Sequence, residues 1–214
     1  MTDVDAIITY VRSLPIYQRN RYIMQRARYQ DDTKKFVKLV QQMTPSHQRD
    51  NFIQRRAKDK DTNLKDAEVL CGLFSDADKR DGAYLALIRR HPDVEQAQKI
   101  VNKLPKDSDS YQAGLRMLIE KQSDLTKAQQ ILKKITDDYY HDSALVHLIE
   151  KYAKSGDITK AQQLTKKIRQ NEERDFTFLK LSTEQRDATK AQRLIHSISD
   201  TKIRQHALQL LSTR

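Results

Sequence analysis

The stretch from Tyr10 to Gln30 interleaves tyrosines with arginines, in the order YVRSLPIYQRNRYIMQRARYQ. A guanidinium group can clamp a carboxylate or a phosphate with paired, charge-assisted hydrogen bonds. A tyrosine ring can stack on a peptide side chain or on a nucleobase. Arginine late in a helix also suits the negative end of the helix dipole without any partner. The tyrosines favour a binding surface, because a plain solvated face does not need them.

A second set of basic and amide side chains recurs later in the chain at spacings of three to four residues, which places them on one helix face. This set, the basic strip, consists of Lys127, Gln130, Lys134, Lys160, Gln163, Lys167, Lys190 and Arg193, with Lys99 and Lys103 at similar positions earlier. We interpret the basic strip as a solvated helix face. A strip that binds a polyanion is the alternative interpretation.

Acidic residues cluster between the apolar segments, and the densest cluster, DDYYHD, runs from Asp137 to Asp142. It superficially resembles the aspartate-rich motif of helical prenyl-transfer enzymes, which would imply Mg²⁺ bound to a diphosphate. Comparable acids recur in other segments, as Asp76, Asp78 and Asp81 and as Asp107 and Asp109. We therefore interpret all these acids as helix caps.

No other pattern indicates catalysis or a bound metal. The six histidines lack paired metal-ligand spacing, and neither a calcium loop nor a phosphate loop is present. The one cysteine, Cys71, has no activating neighbour and falls at a core position. We expect a protein that is not an enzyme and that needs no cofactor and no metal.

Composition favours an all-α chain with acidic partners. The 214 residues include 4 Gly, 4 Pro and no Trp, too few turn-forming residues for a protein of sheets and hairpins. The formal net charge is +11. Residues 1–60 hold 13 basic and 6 acidic side chains, residues 61–120 hold 9 and 11, and residues 121–214 hold 18 and 12. Such a field attracts acidic peptides, nucleic acid or anionic lipid, and does not choose among them.

Nothing in the sequence indicates a targeting or membrane segment. No apolar run approaches the roughly 20 residues of a membrane span, and the start, MTDVDAIITYV, has two acids and no basic n-region. A single cysteine favours a reducing compartment. We expect a cytoplasmic protein, with a secreted effector as the alternative.

One unit of about 31 residues recurs seven times, most clearly as QSDLTKAQQILKKI, SGDITKAQQLTKKI and QRDATKAQRLIHSI. The anchor positions are Ile7, Phe36, Ala67, Ala97, Ala128, Ala161 and Ala191. Four residues before them stand Asp3, Asp32, Asn63, Asp93, Asp124, Asp157 and Asp187. Apolar residues follow three and seven positions after each anchor, beginning with Tyr10 and Leu14. The pattern predicts a first helix with an acidic or amide N-cap and an apolar face.

A polar link and a second helix follow in each copy. The second-helix anchors are Ile23, Phe52, Ala83, Ala113, Ala144, Thr177 and Ala207. One hairpin cannot bury both of its apolar faces, whereas stacked hairpins can. The sequence predicts an all-α fold, an α-solenoid of about seven stacked antiparallel helical hairpins in one domain over residues 1–214. Its predicted repeats are 3–31, 32–62, 63–92, 93–123, 124–156, 157–186 and 187–214.

The window SALVHLIEKYAKSGDITKAQQLTKKI, residues 143–168, resembles a tetratricopeptide repeat. It has apolar Leu145 and Leu148, the aromatic Tyr152, a turn at SGD and the small residue Ala161. The chain departs from that family in its shorter period, in Ile149 at the position of a glycine and in lacking a closing proline. The same window also resembles a pentatricopeptide repeat, and a short HEAT-like repeat is a third alternative. All three imply a superhelical array with a groove.

The tetratricopeptide resemblance implies that the second helices line this groove. In the window itself the outward positions are Ser143, Val146, His147, Glu150 and Lys154. Carried to the other copies, they are Tyr22, Gln25, Arg26, Tyr29, Asn51, Gln54, Arg55, Lys58, Arg89, Gln112, Arg116 and Lys180. On the same model the basic strip lies on the outside of the array.

The resemblance implies a binding scaffold that docks an acidic peptide or helix of a partner protein in the groove. The alternative is a solenoid that binds RNA or DNA through the same basic surfaces. The segment HALQLLSTR at the end lacks a polar capping helix, so self-association through the last helix is a further hypothesis.

Overall fold

The computed structural model describes residues 3–213, which form fourteen α-helices and no β-strand. The chain divides into two compact units, one ending at Pro105 and the other beginning at Lys106. The N-terminal unit contains α1 Val4–Ser13, α2 Ile16–Ala27, α3 Thr33–Val40, α4 His47–Lys58, α5 Leu64–Cys71, α6 Ala77–Arg90 and α7 Val94–Val101. The C-terminal unit contains α8 Asp109–Lys121, α9 Leu125–Leu132, α10 Asp138–Lys154, α11 Ile158–Thr165, α12 Asn171–Glu184, α13 Ala188–His196 and α14 Thr201–Ser212.

Within each unit the helices contact mainly their neighbours in sequence, as stacked hairpins do. The all-α prediction is confirmed, and contacts mainly between sequential helices are consistent with stacked hairpins. The boundary between the two units falls within the predicted repeat 93–123. The prediction of a single solenoid domain over residues 1–214 stays a prediction. Within residues 3–213, no helix combines the length and the apolar character that a membrane span needs.

The predicted caps of the first helices are confirmed. In all seven, the Asp or Asn side chain accepts hydrogen bonds from backbone N–H groups of the first helical turn. Asp124, for example, accepts from the N–H groups of Thr126 and Lys127 at 2.8 and 3.1 Å. These bonds satisfy N–H groups of the first turn, which have no carbonyl acceptor within the helix.

The seven first-helix anchors are all buried, as predicted, and the five alanines among them are fully enclosed. One neighbouring position was predicted wrongly. Tyr10 was expected on the apolar face, but it is 50% exposed, and Val11 is buried in its place. Val11 lies four residues after Ile7 and so shares its helix face. The ring of Tyr10 packs against Tyr22 instead, with ring centroids 5.0 Å apart.

A polar side chain near the start of most second helices reaches the link inside the next hairpin. We call these side chains the latch residues, and they are Asn20, Asp50, Gln112, Asp142 and Asp175. They accept hydrogen bonds from the backbone N–H groups of Thr44, Asp76, Thr136, Arg169 and Asp200, with nitrogen–oxygen distances between 2.7 and 3.0 Å. Each latch therefore ties one hairpin to the link of the following one.

The interpretation of every acid in the clusters as a helix cap is wrong for most of them. Ser108 caps α8 in place of Asp107 and Asp109, and Asp78 and Asp138 lie within the first turns of their helices. Asp76 and Asp137 do cap second helices, but Asp142 is 1% exposed and acts as a latch. Asp81 is also buried, within α6, where the Arg80 guanidinium donates to it at 3.0 Å. Both residues lie inside helices rather than before them, and of the two only Asp142 is shown bonded to the next hairpin.

Asp50 shows how the latch offsets the cost of burying a charge. Burial alone would raise the pKa of this carboxyl, because it disfavours the ionised form. Hydrogen bonds from the Ser75 hydroxyl and from the N–H groups of Ser75 and Asp76, with the nearby Arg49 charge, outweigh burial and hold the pKa of Asp50 below its usual value. The ionised form therefore stabilises the fold above the unfolded-state pKa, and this stabilisation is lost as the pH falls through the lower folded-state pKa.

Replacing Asp50 with Asn should destabilise the protein at neutral pH, because an amide nitrogen cannot accept from Ser75 and Asp76. We expect the free energy of unfolding, measured with urea at pH 7, to fall by about 1 to 3 kcal/mol. The difference from the wild type should shrink below about pH 4, where the wild-type carboxylate itself becomes protonated.

Asp61→Asn is the matched control, since this side chain is exposed and makes no hydrogen bond with its carboxylate. It should change the unfolding free energy by less than about 0.5 kcal/mol. Equal unfolding curves for wild type and Asp50→Asn at pH 7 would contradict the latch.

Candidate functional site

The N-terminal unit contains a cleft of about 650 Å³ between α2, α3 and α4, which we call the α2–α4 cleft. Its lining residues are Met24, Ala27, Arg28, Phe36, Gln48, Asn51, Phe52, Arg55, Arg56 and Asp59. They include three arginines and one carboxylate, together with two phenylalanines. The cleft therefore combines positive charge with apolar surface.

The two phenylalanines and Arg56 form a connected group within this cleft. The Phe36 and Phe52 rings stack with centroids 5.3 Å apart and an interplanar angle of 27°. The Arg56 guanidinium lies 5.9 Å from the centre of the Phe36 ring and donates to the Asp31 carbonyl oxygen at 2.9 Å. Arg56 is thus held in place by contacts within the protein.

Arg28 and Arg55 have different surroundings from Arg56. Both side chains are exposed, and neither makes a hydrogen bond or ion pair with another side chain among the described residues. Arg55 lies in the last turn of α4, where its charge suits the helix dipole. The dipole explains a basic residue at that position, but it leaves the donors of both guanidinium groups available to a ligand.

Three tyrosines line a second depression, of about 390 Å³, formed by residues of α2 and the end of α1. Its lining residues are Tyr10, Leu14, Tyr17, Gln18, Arg21, Tyr22 and Gln25. Arg26 lies 5.3 Å from the centre of the Tyr22 ring, a distance suited to a cation–π contact. Tyr17 is 80% exposed. We call this surface the tyrosine depression.

The predicted groove residues are distributed over several places. Arg55 and Asn51 line the α2–α4 cleft, and Tyr22 and Gln25 line the tyrosine depression. The remaining predicted residues of the first two second helices, Arg26, Tyr29, Gln54 and Lys58, line neither. Arg89 is exposed in the last turn of α6. Arg28, Arg56 and the two phenylalanines were not predicted as site residues, although Phe36 at an alanine position was a visible signal.

In the C-terminal unit, four of the predicted groove residues form two pairs. Arg116 lies 2.9 Å from Nε2 of His147 and 3.6 Å from the Glu120 carboxylate. Lys180 donates to Glu150 at 2.5 Å. Gln112 was predicted to face the groove, and this is wrong: it is buried and bonds to Thr136 in both directions, because it holds a latch position.

The basic strip lies wholly in the C-terminal unit, on α9, α11 and α13 and the turns after α9 and α11. All eight side chains are exposed except that of Lys160, which is half-buried. None of them makes a hydrogen bond or ion pair among the described residues. Lys134 and Lys167 lie in turns rather than on a helix face. The prediction that the strip shares one face stays a prediction, and its role stays open to the two interpretations given above.

Cys71 is buried, as predicted, and is 1% exposed. Burial raises the pKa of its thiol to about 12, with a further contribution from the Glu68 charge, so the reactive thiolate is scarce at neutral pH. Among residues 3–213, no group of three or more acidic, histidine or cysteine side chains is arranged to hold a metal ion.

No protein-family model matches the chain, and no curated protein matches it. One solved structure, described as "Computational Design of Self-Assembling Cyclic Protein Homooligomers", is 12% identical over 100% of this chain and 77% of that chain, with a TM-score of 0.14. A TM-score this low supports no statement about fold or function. The tetratricopeptide resemblance therefore stays a prediction.

The contact between Arg116 and His147 should be visible in the titration of the imidazole. Burial lowers the pKa of His147, Glu120 raises it, and the Arg116 charge lowers it again, so that the pKa lies below its usual value. We expect Arg116→Gln to raise the pKa of His147, measured from its imidazole signals by NMR. Lys154→Gln, on the same helix, is the control and should leave this pKa unchanged. An unaltered pKa in Arg116→Gln would mean that the two side chains do not interact in solution.

Proposed function

We propose that this protein is a non-enzymatic binding scaffold that docks an acidic, partly apolar segment of a partner protein in the α2–α4 cleft. The observation that carries the proposal is the pair of unpartnered guanidinium groups, Arg28 and Arg55, beside the stacked rings of Phe36 and Phe52. A segment with alternating carboxylate and apolar side chains complements both parts of this surface.

The charges of the cleft favour an anionic ligand. Its lining contains three guanidinium groups and one carboxylate, that of Asp59. Residues 1–60 carry 13 basic and 6 acidic side chains. Arginine binds carboxylates through two parallel hydrogen bonds, which give direction as well as attraction. The same charges speed the encounter with an acidic partner.

The apolar part of the cleft favours a peptide over a nucleic-acid backbone. A volume of about 650 Å³ lies in the usual range of pockets that enclose a ligand group, about 300 to 1,000 Å³. Phe52 is half-buried, so a leucine or phenylalanine of the partner would cover apolar surface that is now wet. Burial of apolar surface contributes about 25 cal/mol per Å².

The finer fold assignment belongs to the same proposal. We infer a tetratricopeptide-like array of seven hairpins whose second helices present the binding surface, because the first-helix caps and anchors recur in every copy. A peptide partner is also the usual ligand that this resemblance implies, although fold-level analogy supports function only weakly. The expected cytoplasmic location and the expected self-association through α14 remain predictions; Leu208 and Leu210 of that helix are 42% and 36% exposed.

The cleft can be tested with a short fluorescein-labelled peptide in which Glu alternates with Leu and Phe. The double variant Arg28→Gln/Arg55→Gln should bind this peptide at least about tenfold more weakly than the wild type, since a charge-assisted pair contributes about 1.4 kcal/mol or more. Fluorescence anisotropy gives both dissociation constants. A second peptide with Gln for Glu should bind the wild type as weakly as the first binds the double variant.

The control variant is Arg12→Gln/Arg186→Gln, which removes two exposed arginines whose side chains make no hydrogen bond or ion pair among the described residues. Its affinity for the acidic peptide should stay within about twofold of the wild type. Equal losses in the two double variants would mean that net charge, not the cleft, attracts the peptide. Displacement of the peptide from Arg28 and Arg55 by a mixed-sequence RNA oligonucleotide at lower concentration would assign the cleft to nucleic acid instead.

A further inference from the structure

We infer that the basic strip of the C-terminal unit binds the phosphodiester backbone of nucleic acid without reading its bases. This surface is separate from the α2–α4 cleft, and its inferred partner differs from the peptide proposed there. The inference therefore does not depend on the proposed function. It rests on where the strip's positive charges lie, on their lack of ion-pair partners among the described residues, and on the side chains around them.

The positive charges recur at the same position in successive first helices. Lys127 of α9, Lys160 of α11 and Lys190 of α13 each lie three residues after the capping Asp, and Lys134 and Lys167 each lie seven residues further on. In all three helices the residue next to this lysine is a fully buried alanine. Because the buried faces correspond, the lysines have corresponding positions on the solvent side of each helix.

These charges are not neutralised by the protein itself. The acids belonging to α9, α11 and α13 are their N-caps, and each of those carboxylates accepts backbone N–H groups of its own helix. Elsewhere in the same unit, Lys180 pairs with Glu150 at 2.5 Å. The positive charges of the basic strip are thus available to an external anion, whereas the charge of a paired lysine such as Lys180 is already offset by a carboxylate.

The surroundings of the charges favour phosphates over carboxylates on a peptide. No large apolar side chain is exposed on α9, α11 or α13 or on the turns that follow them, so the surface offers no pocket for a peptide's apolar group. The amides of Gln130 and Gln163 lie among the lysines and can donate to phosphate oxygens. The strip's own helices and turns carry no exposed aromatic ring, the exposed Tyr139 belonging to α10, so the strip itself offers bases no ring to stack on.

This arrangement predicts how binding should behave. Affinity should depend strongly on salt, because each neutralised phosphate releases counterions, and the slope of log K against log salt concentration is about −0.9 per neutralised phosphate on duplex DNA. Duplexes of different sequence should bind equally well. A surface that reads only charge discriminates by length and not by bases.

The test uses the full-length protein and a fluorescein-labelled DNA duplex of mixed sequence, with anisotropy measured between about 50 and 200 mM salt. The variant Lys134→Gln/Lys167→Gln/Lys190→Gln should flatten the salt slope by about 0.9 for each phosphate that the variant no longer neutralises, and it should weaken binding roughly eightfold per phosphate near 0.1 M salt. The matched control, Lys151→Gln/Lys154→Gln/Lys202→Gln, removes the same charge from α10 and α14 and should keep the wild-type slope.

Several results would overturn the inference. They are the absence of duplex binding by the wild type at the lowest salt concentration, or an equal loss of affinity in the strip variant and the control. Equal or tighter binding to poly-glutamate or to vesicles containing phosphatidylserine would reassign the strip to an acidic peptide or to a membrane surface.

Far-UV circular dichroism of both triple variants should match the wild type, since none of the substituted side chains is buried. Arg28→Gln/Arg55→Gln should bind the duplex with the wild-type slope, which keeps failure of the strip distinct from failure of the cleft.

Discussion

The packing within each unit depends on polar side chains, most of them buried, that join five of the second helices to the link of the next hairpin. Backbone N–H groups in a link have no partner within a helix, and leaving them unpaired where water is excluded would be costly. The carboxylates of Asp50, Asp142 and Asp175 are almost fully buried, and burial of a charge is tolerated only when hydrogen bonds surround it. At Asp50 and Asp175 each group satisfies the other, whereas at Asp142 one oxygen accepts two N–H groups and the other has no hydrogen-bond partner among the described residues. This reciprocal need fixes the register between hairpins, which apolar contacts between similar helical faces alone would specify less sharply.

A fixed register lets small departures from the repeat create local surfaces. Most first helices place a fully buried alanine at the anchor, and the hairpin there is closed by aliphatic side chains. Phe36 occupies the same position in α3, and its ring stacks on Phe52 of α4 beside the Arg56 guanidinium. The recurring buried residues thus maintain the common fold, while the positions that depart from the repeat distinguish one copy from another. The α2–α4 cleft lies at the copy whose anchor departs furthest in size from alanine.

Features determined within one helix could be predicted from the sequence, and features determined between hairpins could not. The seven caps and the buried anchors follow from spacings of three and four residues, which the geometry of a single helix fixes. The roles of Asp142 and Gln112 were predicted wrongly because their hydrogen-bond partners lie 24 to 28 residues away in the sequence. Their residue types also suit a helix cap or an exposed helix face equally well. The α2–α4 cleft is likewise formed by three helices together. Tyr10 was misassigned because the first copy offers two adjacent residues, Tyr10 and Val11, for one buried position.

The two basic surfaces differ in what surrounds the charge, and this decides which anion each suits. In the α2–α4 cleft, guanidinium groups lie beside aromatic rings in a concave space, so a ligand must offer apolar surface as well as negative charge. On the basic strip, ammonium groups stand on a polar surface without exposed rings, so only charge and its spacing can be recognised. Lysine carries a point charge that phosphate oxygens can approach from many directions, while the planar guanidinium of arginine forms paired hydrogen bonds with a carboxylate or a phosphate. The cations lining the cleft are all arginines, whereas those of the basic strip are lysines except Arg193, so the difference in surroundings rather than the type of cation separates the two surfaces.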